Sequence, residues 1–158
     1  MSKGIIRISD AASIALRSAA YLAAAGESGA KISEIASAIG ASKNHLAKVL
    51  ALLASEGLVH SERGPSGGVR LARPGGDISL AQVYDAVEAN REERREEPLF
   101  AELKAACLLE KKGCTLRTCL FRPFIEETQR KFREVIESHS VLDLAGSGWA
   151  DDAGKSAE

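Results

Sequence analysis

The chain has 158 residues, 45% apolar, 27% charged and 4% aromatic, which is room for one compact domain with a helical extension and excludes two full domains. No uncharged apolar run approaches the roughly 18 residues of a membrane span, and the N-terminus lacks the basic, apolar and cleavage regions of a secretory signal, so no membrane contact and a cytoplasmic location are expected. The net charge of −1 hides a split: residues 1–75 carry nine Lys or Arg against five Asp or Glu, and residues 76–158 carry twelve against seventeen. A phosphate backbone responds to local charge, so a modest basic surplus in the first half keeps a nucleic-acid partner in play.

Residues 10 to 25 read as an Ala-rich helix built for close packing, with Ala12, Ala15, Leu16, Ala19, Leu22 and Ala23 at helical spacing and Gly26 ending it. Two short helical patterns follow, Ile32, Ile35, Ala36 and Ile39, then Leu46, Val49, Leu50 and Leu53. Gly40 breaks the first, Ser42 is a good N-cap for the second, and Gly57 supplies the turn that closes it. Beyond it Leu58 and Val59, then Val69 and Leu71, flank a polar, glycine-rich stretch from Glu62 to Gly68, the pattern of a hairpin with a long tip. Ser79 and Gln82 form a capping box before a helix with Leu80, Val83, Ala86 and Val87 that ends near Asn90.

The run Arg91 to Glu97 has mixed charge and no apolar residue and reads as a solvated helix end or linker. A short helix through Leu99, Leu103 and Ala106 then leads to three cysteines within thirteen residues, Cys107, Cys114 and Cys119. From Pro123 to about Ser138 a longer helix lines up Ile125, Thr128, Phe132 and Val135 or Ile136 as a narrow stripe, which suits a partner helix and implies a homodimer seam. Residues 146–158 are small, polar and acidic and are expected to be a disordered tail, Trp149 included.

Helix, tight turn, helix and hairpin make a winged helix-turn-helix, whose second helix enters the major groove while the hairpin reaches a neighbouring groove or backbone. The fold class is therefore mainly α with a small β-hairpin wing, plus a long C-terminal dimerisation helix. The expected organisation is a DNA-binding domain over 1–90, a cysteine loop and dimerisation helix over 91–145, and the tail. Ser42, Lys43, Asn44 and His45 start the second helix and Lys48 lies one turn on. Asn pairs two-fold with adenine, Lys reaches guanine or phosphate, and capped first-turn amides favour phosphate. The wing offers Arg63, Arg70 and Arg73, with Ser66, Gly67 and Gly68 letting its backbone approach closely. Each of these alone is an ordinary surface residue. Their gathering at the two places that docking requires is what points to double-stranded DNA.

These segments resemble the Rrf-two family of bacterial winged-helix transcription regulators: ISDAASIALRSAAYLA, then ISEIASAIGASKNHLAKVLALLASEGLV, then the wing SERGPSGGVRLARPGGDISLAQVYDAVE, and SVLDL near the end. The wing positions Gly64, Gly67, Gly68, Arg70 and Leu71 are the most family-specific. The resemblance implies a homodimer on a palindromic operator. It also implies an iron-sulfur cluster on Cys107, Cys114 and Cys119, of the 2Fe-2S type with 4Fe-4S as the alternative, sensing redox state, nitric oxide or iron and cluster status. The spacing C-x(6)-C-x(4)-C departs from the family's five and five by one place for the middle cysteine. The two positions where members carry a fourth ligand hold Arg122 and Ser13, neither an iron ligand, which leaves Asp10, Glu110, a small thiol or water as substitutes.

The cysteines themselves leave alternatives open. Soft thiolates on a short loop suit an iron-sulfur cluster, bare thiols beside Lys111, Lys112 and Arg117 suit a redox switch, and buried inert thiols or zinc complete the set. A regulator controlled by a docked protein partner is the rival from another class. With no phosphate-cradling Gly loop before a helix, no HExxH, and no nucleophile with base and orienting acid, an enzyme is not expected.

Overall fold

The computed structural model describes residues 8–62, 67–92 and 119–146. The helices are α1 (Asp10–Ala25), α2 (Ile32–Ile39), α3 (Lys43–Ser55), α4 (Leu80–Glu92), α5 (Arg122–Ser138) and α6 (Val141–Gly146), and the strands β1 (Val59–Ser61) and β2 (Val69–Leu71) form one antiparallel hairpin. Tight 3-10 turns lie at Gly26–Ser28 and Gly75–Asp77. No helix among the described residues is long and apolar enough to cross a membrane.

Short side chains let neighbouring backbones come close, and α1 uses this to sit at the centre. Its buried face is Ala12, Ala15, Ala19, Ala20 and Leu22, each at most 1% exposed, and it contacts α2, α3, α4, α6 and β2. The Ser9 hydroxyl accepts the Ala12 N–H at 3.1 Å and donates to Glu88, which fastens the start of α1 to α4. Ser18 is fully buried but donates to the Ile14 carbonyl at 2.7 Å, so no polar atom is stranded there.

The apolar positions read from periodicity meet this helix. Ile35, Ala36 and Ile39 of α2 and Leu46, Val49, Leu50 and Leu53 of α3 are buried in one cluster with Leu58, Val59, Val69, Ile78, Val83 and Val87. Gly40 closes α2 in the left-handed region (φ +69°), and the Ser42 hydroxyl caps α3 by accepting the His45 N–H at 3.2 Å. In the wing Val59 pairs Leu71, His60 pairs Arg70 and Ser61 pairs Val69. A third segment closes its inner edge: Ala30 and Val69 exchange both backbone hydrogen bonds, at 2.9 and 2.8 Å. The wing is thus fastened to the start of α2.

The chain returns to this core after α5. Leu80 N–H donates to the His139 carbonyl at 2.9 Å and Val141 N–H to the Ile78 carbonyl at 2.8 Å, pairing Ser79 with Ser140. Each serine caps the helix that follows it, Ser79 with Gln82 for α4 and Ser140 with Asp143 for α6. Val141 is fully buried in the central cluster, so residues 139–146 pack with the winged helix.

The stripe on α5 is divided: Ile125 and Ile136 are buried within the chain itself, Phe132 meets Tyr84 of α4 edge-on with ring centres 5.5 Å apart, and Val135 stays exposed. Arg133 adds an ion pair to Asp85 at 2.9 Å. Periodicity marks an apolar face without saying whose surface will cover it. Phe124 and Val135 on α5, with Leu120 and Phe121 just before it, are large apolar side chains left exposed. The short helix before Cys107, most of the Arg91 to Glu97 run, and the tail beyond Gly146 lie outside the described residues.

Two outcomes follow for stability. Gly29 has φ +61°, and an added Cβ would lie 2.5 Å from the Val69 carbonyl oxygen, whereas one at Gly40 would meet nothing. Gly29→Ala is therefore expected to cost at least about 2 kcal/mol and Gly40→Ala about 1 kcal/mol in chemical unfolding; equal costs would contradict the wing attachment. The backbone N–H and then the hydroxyl of Ser140 donate to the Asp143 carboxylate and hold its pKa below the usual carboxylate range. A lowered folded pKa stabilises above the unfolded value and that contribution disappears as pH falls through the folded one. The stability gap between wild type and Asp143→Asn is expected to close below about pH 4, and a gap constant with pH would contradict this role.

Candidate nucleic-acid interface

A helix that enters a groove needs polar reach at its leading end and little bulk behind it. On α3, Ser42, Lys43, Asn44 and Lys48 are exposed and His45 is half-buried, while the rest of the solvent face includes the exposed Ala47, Ala51 and Ala54. The alanines are a signal the sequence reading missed, since exposed small residues on one helix face let another surface come close. Ser42 satisfies the His45 amide and Leu46 N–H donates to the Ser42 carbonyl at 2.9 Å. The amides of Lys43 and Asn44 have no acceptor within the helix, as at any helix start, and carry the positive end of its dipole.

In the wing, alternation along the hairpin sorts the side chains. Val59 and Val69 are buried, and His60 and Arg70, direct cross-strand partners, are exposed on the opposite face. Arg70 Nη2 lies 3.6 Å from the Glu62 carboxylate, a carboxylate that the sequence reading did not single out. Gly67 and Gly68 are half-buried. The space a Cβ would take at Gly68 is bordered by the Ala30 carbonyl oxygen at 3.1 Å, so this glycine serves the wing's inner edge. Arg73 is exposed just past β2; Arg63 and Ser66 lie outside the described residues.

Of the sulfur positions, Cys119 is described, and Cys107, Cys114 and Glu110 lie outside the described residues. Cys119 is half-buried and leads directly into α5, its carbonyl accepting the Arg122 N–H at 3.1 Å. Asp10 is exposed in the first turn of α1 and Ser13 is half-buried one turn further. Among the described residues no three His, Cys, Asp or Glu side chains gather as a metal site.

Farther along α5, charged side chains pair along the helix. Arg122 reaches Glu126 at 2.6 Å, and Arg130 joins Glu127 at 2.7 Å as well as Glu134. The Arg130 guanidinium holds the Glu127 carboxyl below the usual range, and Glu127 in turn raises Arg130. All are solvent-exposed pairs of the kind that order a helix surface and contribute little to stability.

Comparison with known proteins fits this geometry. The structure is similar to that of T. potens IscR, with a TM-score of 0.64 at 21% identity over 97% of this chain and 92% of that one. It is also similar to the oxidised form of Staphylococcus aureus CymR, with a TM-score of 0.63 at 22% identity over 89% and 97%. At these identities the likeness shows the winged-helix fold alone. A curated relative, protein aau3 of Rhizobium meliloti (strain 1021), is 32% identical over 139 residues, 88% of this chain and 84% of its own. The Rrf2 family model, described as an iron-dependent transcriptional regulator, matches residues 8–147. With the reading helix, the wing and the returning C-terminal helices all inside that match, the chain belongs to the Rrf2 family of DNA-binding transcription regulators.

Proposed function

We propose that the chain acts as a homodimer on palindromic double-stranded DNA operators, with its affinity set by an iron-sulfur cluster, 2Fe-2S or 4Fe-4S, on Cys107, Cys114 and Cys119. The observation that carries the DNA half is the convergence of exposed Lys43, Asn44 and Lys48 on a capped helix start whose solvent face continues in alanines. Asn44 pairs with an adenine edge, Lys43 and Lys48 meet phosphate, and Ser42, His45 and the first-turn amides set the register. The wing adds Arg63, Ser66, Gly67 and Arg70 on flanking phosphates, while Gly68 lets its inner edge sit close against Ala30.

The donor set fits the cluster: three soft thiol ligands lie within thirteen residues, and the last of them leads into α5. Asp10 or Glu110 serves as the fourth ligand. When bound, such a cluster supplies a centre whose charge and composition follow redox state, nitric oxide or iron supply. The chain's own part is transmission. Cys119 adjoins α5; α5 is fastened to α4 by Phe132 on Tyr84 and Arg133 on Asp85; α4 packs on α1 and α3. A displacement at the start of α5 is carried to the reading helix through packed elements. Leu120, Phe121, Phe124 and Val135, 54 to 82% exposed, supply the contact between two copies.

Cys119, a free and half-buried thiol just before α5, also supports a second reading, a regulator switched by bare thiols without a cluster. Anaerobic purification separates the two. The cluster reading expects a coloured protein with iron and acid-labile sulfide, lost in Cys107→Ala; a colourless, iron-free wild type moves the assignment to the thiols. For the interface, Lys48→Ala is expected to weaken all DNA sequences alike and flatten the salt slope by about one unit, while Asn44→Ala relaxes choice at one base pair. An unchanged slope and an unchanged site profile would remove those two roles, and absence of any shift on the duplex upstream of its own gene would favour a protein-docking module.

A further inference from the structure

A basic interface is expected to repel carboxylates, yet one stands beside the wing's arginine. Glu62 N–H donates to the Gly68 carbonyl at 2.9 Å, which continues the ladder one step past Ser61. By strand alternation Glu62 therefore shares the outward face with His60 and Arg70. Its Oε1 lies 3.6 Å from Arg70 Nη2, a diagonal cross-strand ion pair with side chains 67% and 48% exposed.

The surroundings deepen the effect. Arg70 and Glu62 border a cleft of about 280 Å³ between the wing and the start of α2, lined also by Glu27, Lys31 and Glu34. The Glu34 carboxylate accepts the Lys31 N–H at 2.9 Å and so stays fixed at this rim. Three carboxylates against two cations make the cleft a place that holds a guanidinium and disfavours a phosphate. To meet DNA, Arg70 has to leave Glu62 or bring it along, and either way the contact carries less net charge than an unpaired arginine.

We propose that Glu62 is a positioning residue of the DNA interface, holding Arg70 across the hairpin and so weakening the wing's grip on phosphate. This rests on the reading of Arg70 as a phosphate contact. The restraint is independent of base sequence, because it opposes the backbone. It lowers binding to all DNA and leaves more of the choice of site to the first turn of α3. An exposed pair of this kind is expected to change affinity about two- to fivefold.

The test uses the full-length protein, fluorescence anisotropy, a mixed-sequence duplex and the duplex upstream of its own gene, each over a range of salt concentrations. Glu62→Gln is expected to bind both duplexes about two- to fivefold more tightly and to steepen the salt slope by up to about one unit. In an Arg70→Gln background the same substitution is expected to have almost no effect. A merely structural role for Glu62 would instead lower the thermal midpoint and weaken binding. If Arg70→Gln weakens binding but Glu62→Gln leaves affinity and slope unchanged, or weakens binding, the restraint is wrong while the interface stands. If Arg70→Gln changes nothing, Arg70 is not a phosphate contact and the restraint falls with that assignment. Equal tightening by Glu62→Gln with and without Arg70 would make the effect one of general charge and overturn the pairing.

Discussion

Close approach at α1 is the constraint on which the structure depends. A helix with Ala12, Ala15, Ala19 and Ala20 buried at 0 to 1% has little side chain to hold its neighbours away, and the reading helix, α4, α6 and the wing strand β2 all contact it. Larger residues at those positions would force the neighbours apart, because packed interiors absorb added methylenes poorly. The position of α3 relative to the wing is therefore set by α1 and not by the loops that join them.

Because the elements share one wall, the molecule has few independent parts. The wing is held on its inner edge by Ala30, and α5 is held at mid-length by Tyr84 and Asp85 and at its end by the paired Ser79 and Ser140. Val141 reaches the central cluster from the far end of the chain. The proposed route from Cys119 uses this packing, since α5 is joined to α4 by Phe132 and Arg133 and to α6 through the paired Ser79 and Ser140. Apart from this packing, the exposed Glu62 and Arg70 pair on the outer face of the wing.

Much of this was legible in the sequence because the informative contacts were local. The bounds of α1, α2 and α3 follow from apolar spacing, with Gly26 and Gly40 ending the first two and Ser42 and Gly57 bounding the third, and the hairpin follows from paired apolar pieces around a glycine-rich tip. What escaped was non-local. Ala30 pairs with Val69 as a single residue and carries no strand signal of its own. The return of Val141 to the core depends on a partner more than sixty residues away, Ile78. The apolar stripe on α5 was visible, but the cover for Phe132 turned out to be Tyr84 of the same chain. At the interface the cations were legible by type and place, and Glu62 was not, because only hairpin register puts it beside Arg70.

The proposed function requires the cysteines and the reading helix to be energetically coupled. Thermodynamic linkage makes it measurable in one preparation: titrate the same anaerobic protein with operator DNA before and after iron is removed by a chelator. Coupling of the usual size, about 1 to 3 kcal/mol, predicts affinities that differ by roughly 5- to 150-fold, with a matching change in cluster loss when DNA is bound. Identical affinities with and without iron, in a protein that binds its operator and holds its cluster, would rule out the coupling.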